Sequence, residues 1–265
     1  ALAEVNWTNK DGKSWTDFRR RLQSHYKLLQ DLNVNYYRPS FNVAYTATYN
    51  AAKNNNKIML TTEQLKTDQI RYTIDGSEPT IQSTPYTGPF ELSSTGHINA
   101  AYFLDSIKIG PTLSFDIDIH RVIGKKVTYN TAWSGYPAQK DSTLTNGIMG
   151  GLSYHDGQWQ GFTSPIDVVV DMERREEIHQ VAMNFMQMIG PGVYMPGEME
   201  VLLSDNGRTF RSVGTIKNDI SDKESKLTFK RFELKLDKAQ QARYIKIKAS
   251  NPKKGYLFTD EIIVY

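Results

Sequence analysis

The adjacent acids Asp260-Glu261 come nearest to what hydrolysis of a glycosidic bond requires, two carboxyl groups facing one bond. On a strand, neighbouring side chains point to opposite faces, so the pair is expected not to flank a common substrate. A structural or calcium-ligand role fits it better. Asp116 and Asp118 do share a face, but they close a strand before a linker, where a solvated edge is expected. In Glu176-Glu177-Ile178-His179 a lone imidazole has no second histidine at helical spacing, which makes a poor metal site. Gly12-Lys13-Ser14 lacks the upstream glycine of a phosphate loop, since Trp7 stands there, and Gly190-Pro191-Gly192 lacks the third glycine of a dinucleotide fingerprint. With no cysteine and five scattered histidines, no nucleophile–base pair has a recognisable spacing.

The elements that would position any site are mainly β. The 265 residues include 15 Tyr, 11 Phe and 4 Trp, an aromatic content suited to strand faces and binding surfaces. One helical stripe stands out: Trp15, Phe18, Leu22, Tyr26, Leu29 and Leu32 recur three or four apart, with Ser14 and Asp17 as a capping-box-like start and Pro39 beyond the end. From 41 to 120, short alternating runs are separated by Asn54-Asn55-Asn56, Asp75-Gly76, Thr87-Gly88-Pro89 and Gly110-Pro111, the pattern of a small β-sandwich. Residues 121–265 add strands over 167–171, 180–187, 198–204, 226–236, 243–249 and 261–265, enough for a larger sandwich or jelly roll. Its loops are long and aromatic, notably 133–137, 154–159 and 190–197, and long loops on a rigid sheet are where binding sites sit.

Charge narrows the partners. The net charge of +3 divides into 12 basic and 12 acidic side chains up to residue 120, and 20 and 17 after it. The single-sign field of a nucleic-acid binder is missing, and no run approaches the ~18 apolar residues of a membrane span, so neither nucleic acid nor membrane insertion is expected. Absence of cysteine says little about compartment. The missing initiating Met hints at a processed product or a piece of something longer.

Three consecutive groups of residues carry a resemblance to known families. Ala1-Leu2-Ala3-Glu4-Val5-Asn6-Trp7, with Trp15, Asp17-Phe18, Arg21-Leu22 and Val34-Asn35-Tyr36, resembles the end of the catalytic barrel of family 20 glycoside hydrolases, the β-N-acetylhexosaminidases. Tyr72-Thr73-Ile74-Asp75-Gly76-Ser77-Glu78-Pro79-Thr80, then Ser83, Tyr86 and Pro89-Phe90, is similar to the chitobiase/hexosaminidase C-terminal β-sandwich. Leu144-Thr145-Asn146-Gly147, Trp159-Gln160-Gly161-Phe162, Ser204-Asp205-Asn206-Gly207, Ala242-Arg243-Tyr244-Ile245 and Asp260-Glu261-Ile262 resemble the coagulation-factor type C domain, a discoidin or galactose-binding-like jelly roll.

The resemblance implies a mainly β chain in three parts: 1–39 the last helix of a (β/α)8 barrel, 40–120 a small immunoglobulin/fibronectin-like sandwich, and 121–265 a galactose-binding-like sandwich. It implies a C-terminal, non-catalytic region of a β-N-acetylhexosaminidase, because the family's catalytic Asp-Glu pair belongs to the earlier barrel. No catalytic residue is therefore assigned. The expected partners are glycans bearing N-acetylhexosamine or galactose and the catalytic barrel of the same polypeptide, outside the cytoplasm of a bacterium. No cofactor is required. A structural calcium ion would use Asn146 and Glu261, although Asn at the family's Asp position removes a charge from a hard-cation site. Sugar binding needs an aromatic face and planar polar groups on loops, for which Trp133, Tyr136, Tyr154, His155 and Tyr256 are the candidates, while Trp159 is expected to fill the core. The competing readings are a structural or protein-interaction module without glycan affinity and, for the loop aromatics, ordinary packing.

Overall fold

A computed structural model describes residues 6, 8–50, 55–104 and 106–265 of the chain. Most of the end-of-barrel motif at 1–7 lies outside the described residues, and so does Asn54. The helical stripe forms α1 (Trp15–Asp31), capped by Ser14, whose hydroxyl accepts the Asp17 N–H at 3.2 Å. Asp17 in turn pairs with Arg20 and Arg21, each at 2.8 Å. The apolar stripe is incompletely covered: Trp15 and Leu32 are exposed, as is Leu28 outside the stripe, and Tyr26 stacks on Tyr36 of the following segment.

The small sandwich is built from β1 (Val43–Asn50), β2 (Asn55–Thr62), β3 (Ile70–Thr73), β4 (Thr84–Pro85), β5 (Phe90–Leu92), β6 (Gly96–Leu104) and β7 (Ile107–Ile117). One sheet has the order β1-β2-β5 and the other β4-β3-β6-β7. Alternation sends Ile58, Leu60, Ile98, Tyr102 and Phe115 between the two sheets, where Tyr45 stacks on Phe115. Two expected turns are strand instead. Asn55 and Asn56 belong to β2 and are buried, and Gly110-Pro111 lies inside β7. There the pairing slips between Ala100/Leu113 and Tyr102/Ile109, so a bulge absorbs a proline that a regular ladder would reject.

The large sandwich comprises β8 (Lys126–Tyr129), β9 (Gln160–Phe162), β10 (Ile166–Gln187), β11 (Glu198–Ser204), β12 (Arg211–Lys217), β13 (Thr228–Ala249) and β14 (Leu257–Val264). Four strands expected as separate pieces are two long ones. β10 and β13 pair antiparallel along their length, with irregularities between Asp171 and Glu176 and between Ile178 and Gln180, and they pass from one layer to the other. Asp171 pins the crossing: it receives Arg243 Nε and Nη2 at 2.8 and 2.9 Å and the Glu173 N–H at 2.7 Å. Residues 166–171 and 244–249 lie with β8, β11 and β12; the other halves lie with β14 and β9. Between the layers sit Val168, Val170, Met183, Phe185, Phe232 and Ile262. The expected turn at Asn206-Gly207 has Gly207 at φ +69°, with Asn206 Oδ1 accepting the N–H groups of Arg208 and Thr209.

The sandwiches join through backbone. Asp118 N–H donates to Gly147 O at 2.9 Å, Met149 N–H to Asp116 O at 3.1 Å, and Ile117 bridges Ile148. Of the two acids read from sequence as a solvated edge, Asp116 is exposed, whereas Asp118, just past β7, is covered by the second sandwich. Asp118 is buried and accepts from Arg231 Nη2 at 2.9 Å, Thr95 Oγ1 at 3.1 Å and the Tyr265 hydroxyl.

Candidate functional site

Four of the five loop residues singled out for sugar contact meet at one end of the large sandwich. The loop after β8 turns at Gly135 (φ +78°), where a Cβ would come within 2.9 Å of the Tyr256 hydroxyl, so only glycine allows the approach. Gly161 N–H donates to Tyr136 O and Ser134 N–H to Gly161 O, which ties this loop to β9. Tyr256 reaches the same place from the loop before β14, with its N–H donating to Gly192 O at 2.9 Å. The loop before β9 is drawn in by Asp156, which accepts the Gly151 and Gln158 N–H groups, and it carries Tyr154 and His155.

The rings pack at mixed angles. Tyr136 lies edge-on to Tyr154 at 5.5 Å, to Tyr256 at 5.3 Å and to Phe258 at 4.9 Å. His155 is 4.2 Å from Tyr154 and 5.8 Å from Tyr136, and is exposed. Beneath them Trp159, Met186, Val193 and Phe258 form a small core of their own, so Trp159 is a packing residue as expected, 2 % exposed. Trp133 is set apart. Its ring meets Tyr129 edge-on at 4.9 Å and packs against the main core, because Tyr129 ends β8 on the core side of the same loop.

The Asp260-Glu261 pair occupies a bulge. Met183 pairs with Ile262 and Phe185 with Thr259, so two acids stand opposite the single residue Asn184. They serve different partners. Asp260 accepts the Gly150 N–H at 2.8 Å and Asn184 Nδ2 at 3.1 Å, and burial pushes its carboxyl up to about 7 against those stabilising bonds. Glu261 accepts the Asn146 and Gly147 N–H groups at 3.1 and 3.0 Å and lies 3.0 Å from His120 Nε2. Burial pushes Glu261 well above the ordinary carboxylate range and lowers His120 to about 4. For Asp118, burial alone would raise the pKa, but the hydrogen bonds from Tyr265 and Arg231 outweigh it and hold the carboxylate below its usual range.

Asn146 and Glu261 therefore come together, but through N–H donors. Both Glu261 oxygens face nitrogen, and Asn146 Oδ1 accepts the Ile148 N–H at 2.8 Å. A calcium ion takes six to eight oxygens turned towards it, so the pair as arranged does not fit a calcium site. Among the described residues no cluster of three or more His, Asp or Glu is placed to hold a metal ion, and no helix is long and apolar enough to cross a membrane.

Residues 44–110 match the family described as the chitobiase/beta-hexosaminidase C-terminal domain, the segment whose Tyr72–Thr80 motif carried that resemblance. A beta-hexosaminidase of Porphyromonas gingivalis (strain ATCC BAA-308 / W83) is 29% identical over 160 residues. That match covers 57% of this chain and 18% of the relative, so the chain spans about a fifth of the length of the curated protein it matches. Among solved structures, CBM32-1 from a family 31 glycoside hydrolase of Clostridium perfringens shares 20% identity over 56% of this chain and 99% of its own, with a TM-score of 0.38. CBM32-5 of a second Clostridium perfringens protein, in complex with GalNAc-beta-1,3-galactose, shares 16% over 53% of this chain and 94% of its own, with a TM-score of 0.39.

Proposed function

We propose that this chain is a non-catalytic, carbohydrate-binding part of a β-N-acetylhexosaminidase that acts outside the cytoplasm of a bacterium. In this reading the small sandwich braces a catalytic barrel of the same polypeptide, and the large sandwich holds that barrel near glycans bearing N-acetylhexosamine or galactose. The observation that carries the reading is the convergence of Tyr136, Tyr154, His155 and Tyr256 on one loop end. Aromatic faces suit the C–H surface of a pyranose, and the hydroxyl and imidazole groups beside them suit its hydroxyls. A second reading, a structural or protein-interaction module without glycan affinity, is favoured by the edge-on packing of Tyr136 on Phe258.

Isothermal titration of the 265-residue chain with galactose, N-acetylgalactosamine and N-acetylglucosamine separates the two. Saturable heat with one sugar, lost in Tyr256→Ala, is the expected result. Silence with all three from a folded chain favours the brace. Turnover of a chromogenic N-acetylhexosaminide by this chain alone would overturn the non-catalytic assignment.

A further inference from the structure

A cavity of about 560 Å³ lies where the two sandwiches meet and involves none of the loop-end side chains. Its volume falls within the roughly 300–1,000 Å³ typical of small-molecule sites. One wall is the edge of the small sandwich, with His97 and Asp116; the other is the outer face of β10, β13 and β14, with Asn184, Phe229, Arg231 and Asp260. The wall is assembled rather than local. It exists because Asp118, Gly147, Asp116 and Met149 exchange backbone hydrogen bonds across the junction.

Three observations define what the cavity suits. First, its charges are already matched: His97 Nδ1 lies 2.5 Å from Asp116 Oδ1, Arg231 Nη2 lies 2.9 Å from Asp118 Oδ2, and Lys230 pairs with Asp219. The remaining carboxyl, Asp260, is buried and occupied by the Gly150 N–H and Asn184 Nδ2, so a neutral ligand leaves each of these contacts intact. Second, Phe229 is 40% exposed, the one Phe, Tyr or Trp ring of residues 121–265 left open among the described residues, and it is backed by Trp159 at 5.7 Å and 26°. An open ring braced from behind is a platform for a flat apolar face. Third, hydrogen-bonding capacity surrounds that ring. Asp116 Oδ2 has no hydrogen-bond partner among the described residues, and the Arg231 guanidinium carries more N–H groups than its contacts with Asn184, Asp118 and Tyr265 engage. An acceptor and a donor beside an apolar plane match adjacent hydroxyls on a ring with a C–H face.

We propose that the inter-sandwich cavity is a binding site for a neutral hexopyranose, stacked on Phe229 and hydrogen-bonded by Asp116 of one sandwich and Arg231 of the other. A ligand held by both sandwiches would also lock their relative placement. The site stands apart from the loop-end reading, and the methionines report on the two separately. Met149 lines the cavity and contacts Asn184, whereas Met188 packs against the small core on which Tyr136, Tyr154 and Tyr256 also rest, and does not line the cavity.

The test is methyl NMR of the full chain labelled at its methionines, titrated with N-acetylglucosamine, N-acetylgalactosamine and galactose. The expected result is a saturable shift of the Met149 methyl with at least one sugar, abolished in Phe229→Ala and kept in Phe229→Trp. The unchanged remaining methionine resonances show that both variants are folded. A shift at Met149 without one at Met188 supports this site and counts against the loop end. A shift at Met188 alone, a Met149 shift that survives Phe229→Ala undiminished, or no shift with any of the three sugars overturns the proposal.

Discussion

At the loop end, Tyr136, Tyr154, His155 and Tyr256 belong to one sandwich and lean on one another over a small apolar core. At the junction the aromatic ring is single and open, and the polar groups come from both sandwiches as pre-formed pairs. Trp159 links the two regions, with the loop-end core on one side and Phe229 stacked on the other. A cluster whose rings satisfy each other is rigid without a partner, whereas the junction owes its shape to the docking of two bodies. The loop end should therefore tolerate changes at the junction, but the reverse holds only while Trp159 remains.

Removing that link is the largest test. Trp159→Ala deletes a fully buried ring and should cost about 3–5 kcal/mol of unfolding free energy in urea, while loosening both regions at once. A loss below about 1 kcal/mol would mean that the two regions do not share a floor.

The next test concerns Asp260 at the junction. Its folded pKa, raised to about 7, lies above the unfolded carboxylate value near 3.8, so the folded state holds the extra proton. Its contribution is therefore fully present at low pH and is lost as pH rises towards 7. His120 works in the opposite sense below pH 6.5, because its folded value falls to about 4. Comparison of Asp260→Asn with the wild type isolates the carboxyl: the difference in unfolding free energy should move in favour of the variant by about 3 kcal/mol between pH 5 and pH 8. A pH-independent difference would show that Asp260 does not titrate in that window.

Arg231→Met should cost about 2 kcal/mol, because it leaves the buried Asp118 without its guanidinium. The figure is lower than for a fully enclosed pair, since the Arg231 side chain keeps about a third of its surface in water. Adding Asp118→Asn should recover part of the loss, and a double-mutant cycle measures the coupling. The smallest effect is expected at Phe229→Ala, under about 1 kcal/mol, because the ring is already open to solvent. A larger loss would make Phe229 a packing residue and bring the junction closer in kind to the loop end.

Much of the framework was legible in the residues. The 3.6-residue period and Ser14 cap give α1, and alternation between turn residues gives the two sandwiches. Where the reading of local pattern failed, a longer-range pairing had intervened. Asn55, Asn56 and Gly110-Pro111 look like turns but are held in strands by partners elsewhere in the sheet, and Arg243 carries a long strand through a polar stretch that looked like a break. Asp118 looked solvated because nothing local tells an exposed edge from one that a second body covers.

The candidate sites divide in the same way. Four loop aromatics could be named because long aromatic loops on a sheet advertise themselves, but Trp133 could not be told from them, since the side of a loop on which a ring falls depends on the core below. Phe229, Asn184 and Arg231 carry no motif at all.

Chain composition and periodicity by themselves determined a mainly β protein of two sandwiches preceded by an amphipathic helix, because side-chain alternation and capping act within a few residues. Only the tertiary structure decided that Asp260 and Glu261 share a bulge yet face different partners, that Asp118 is buried and that an open phenylalanine faces paired charges. Those outcomes depend on contacts between residues more than a hundred positions apart, such as Asp118 with Arg231 and Gly147 with Glu261, and no local pattern encodes which distant surface will arrive.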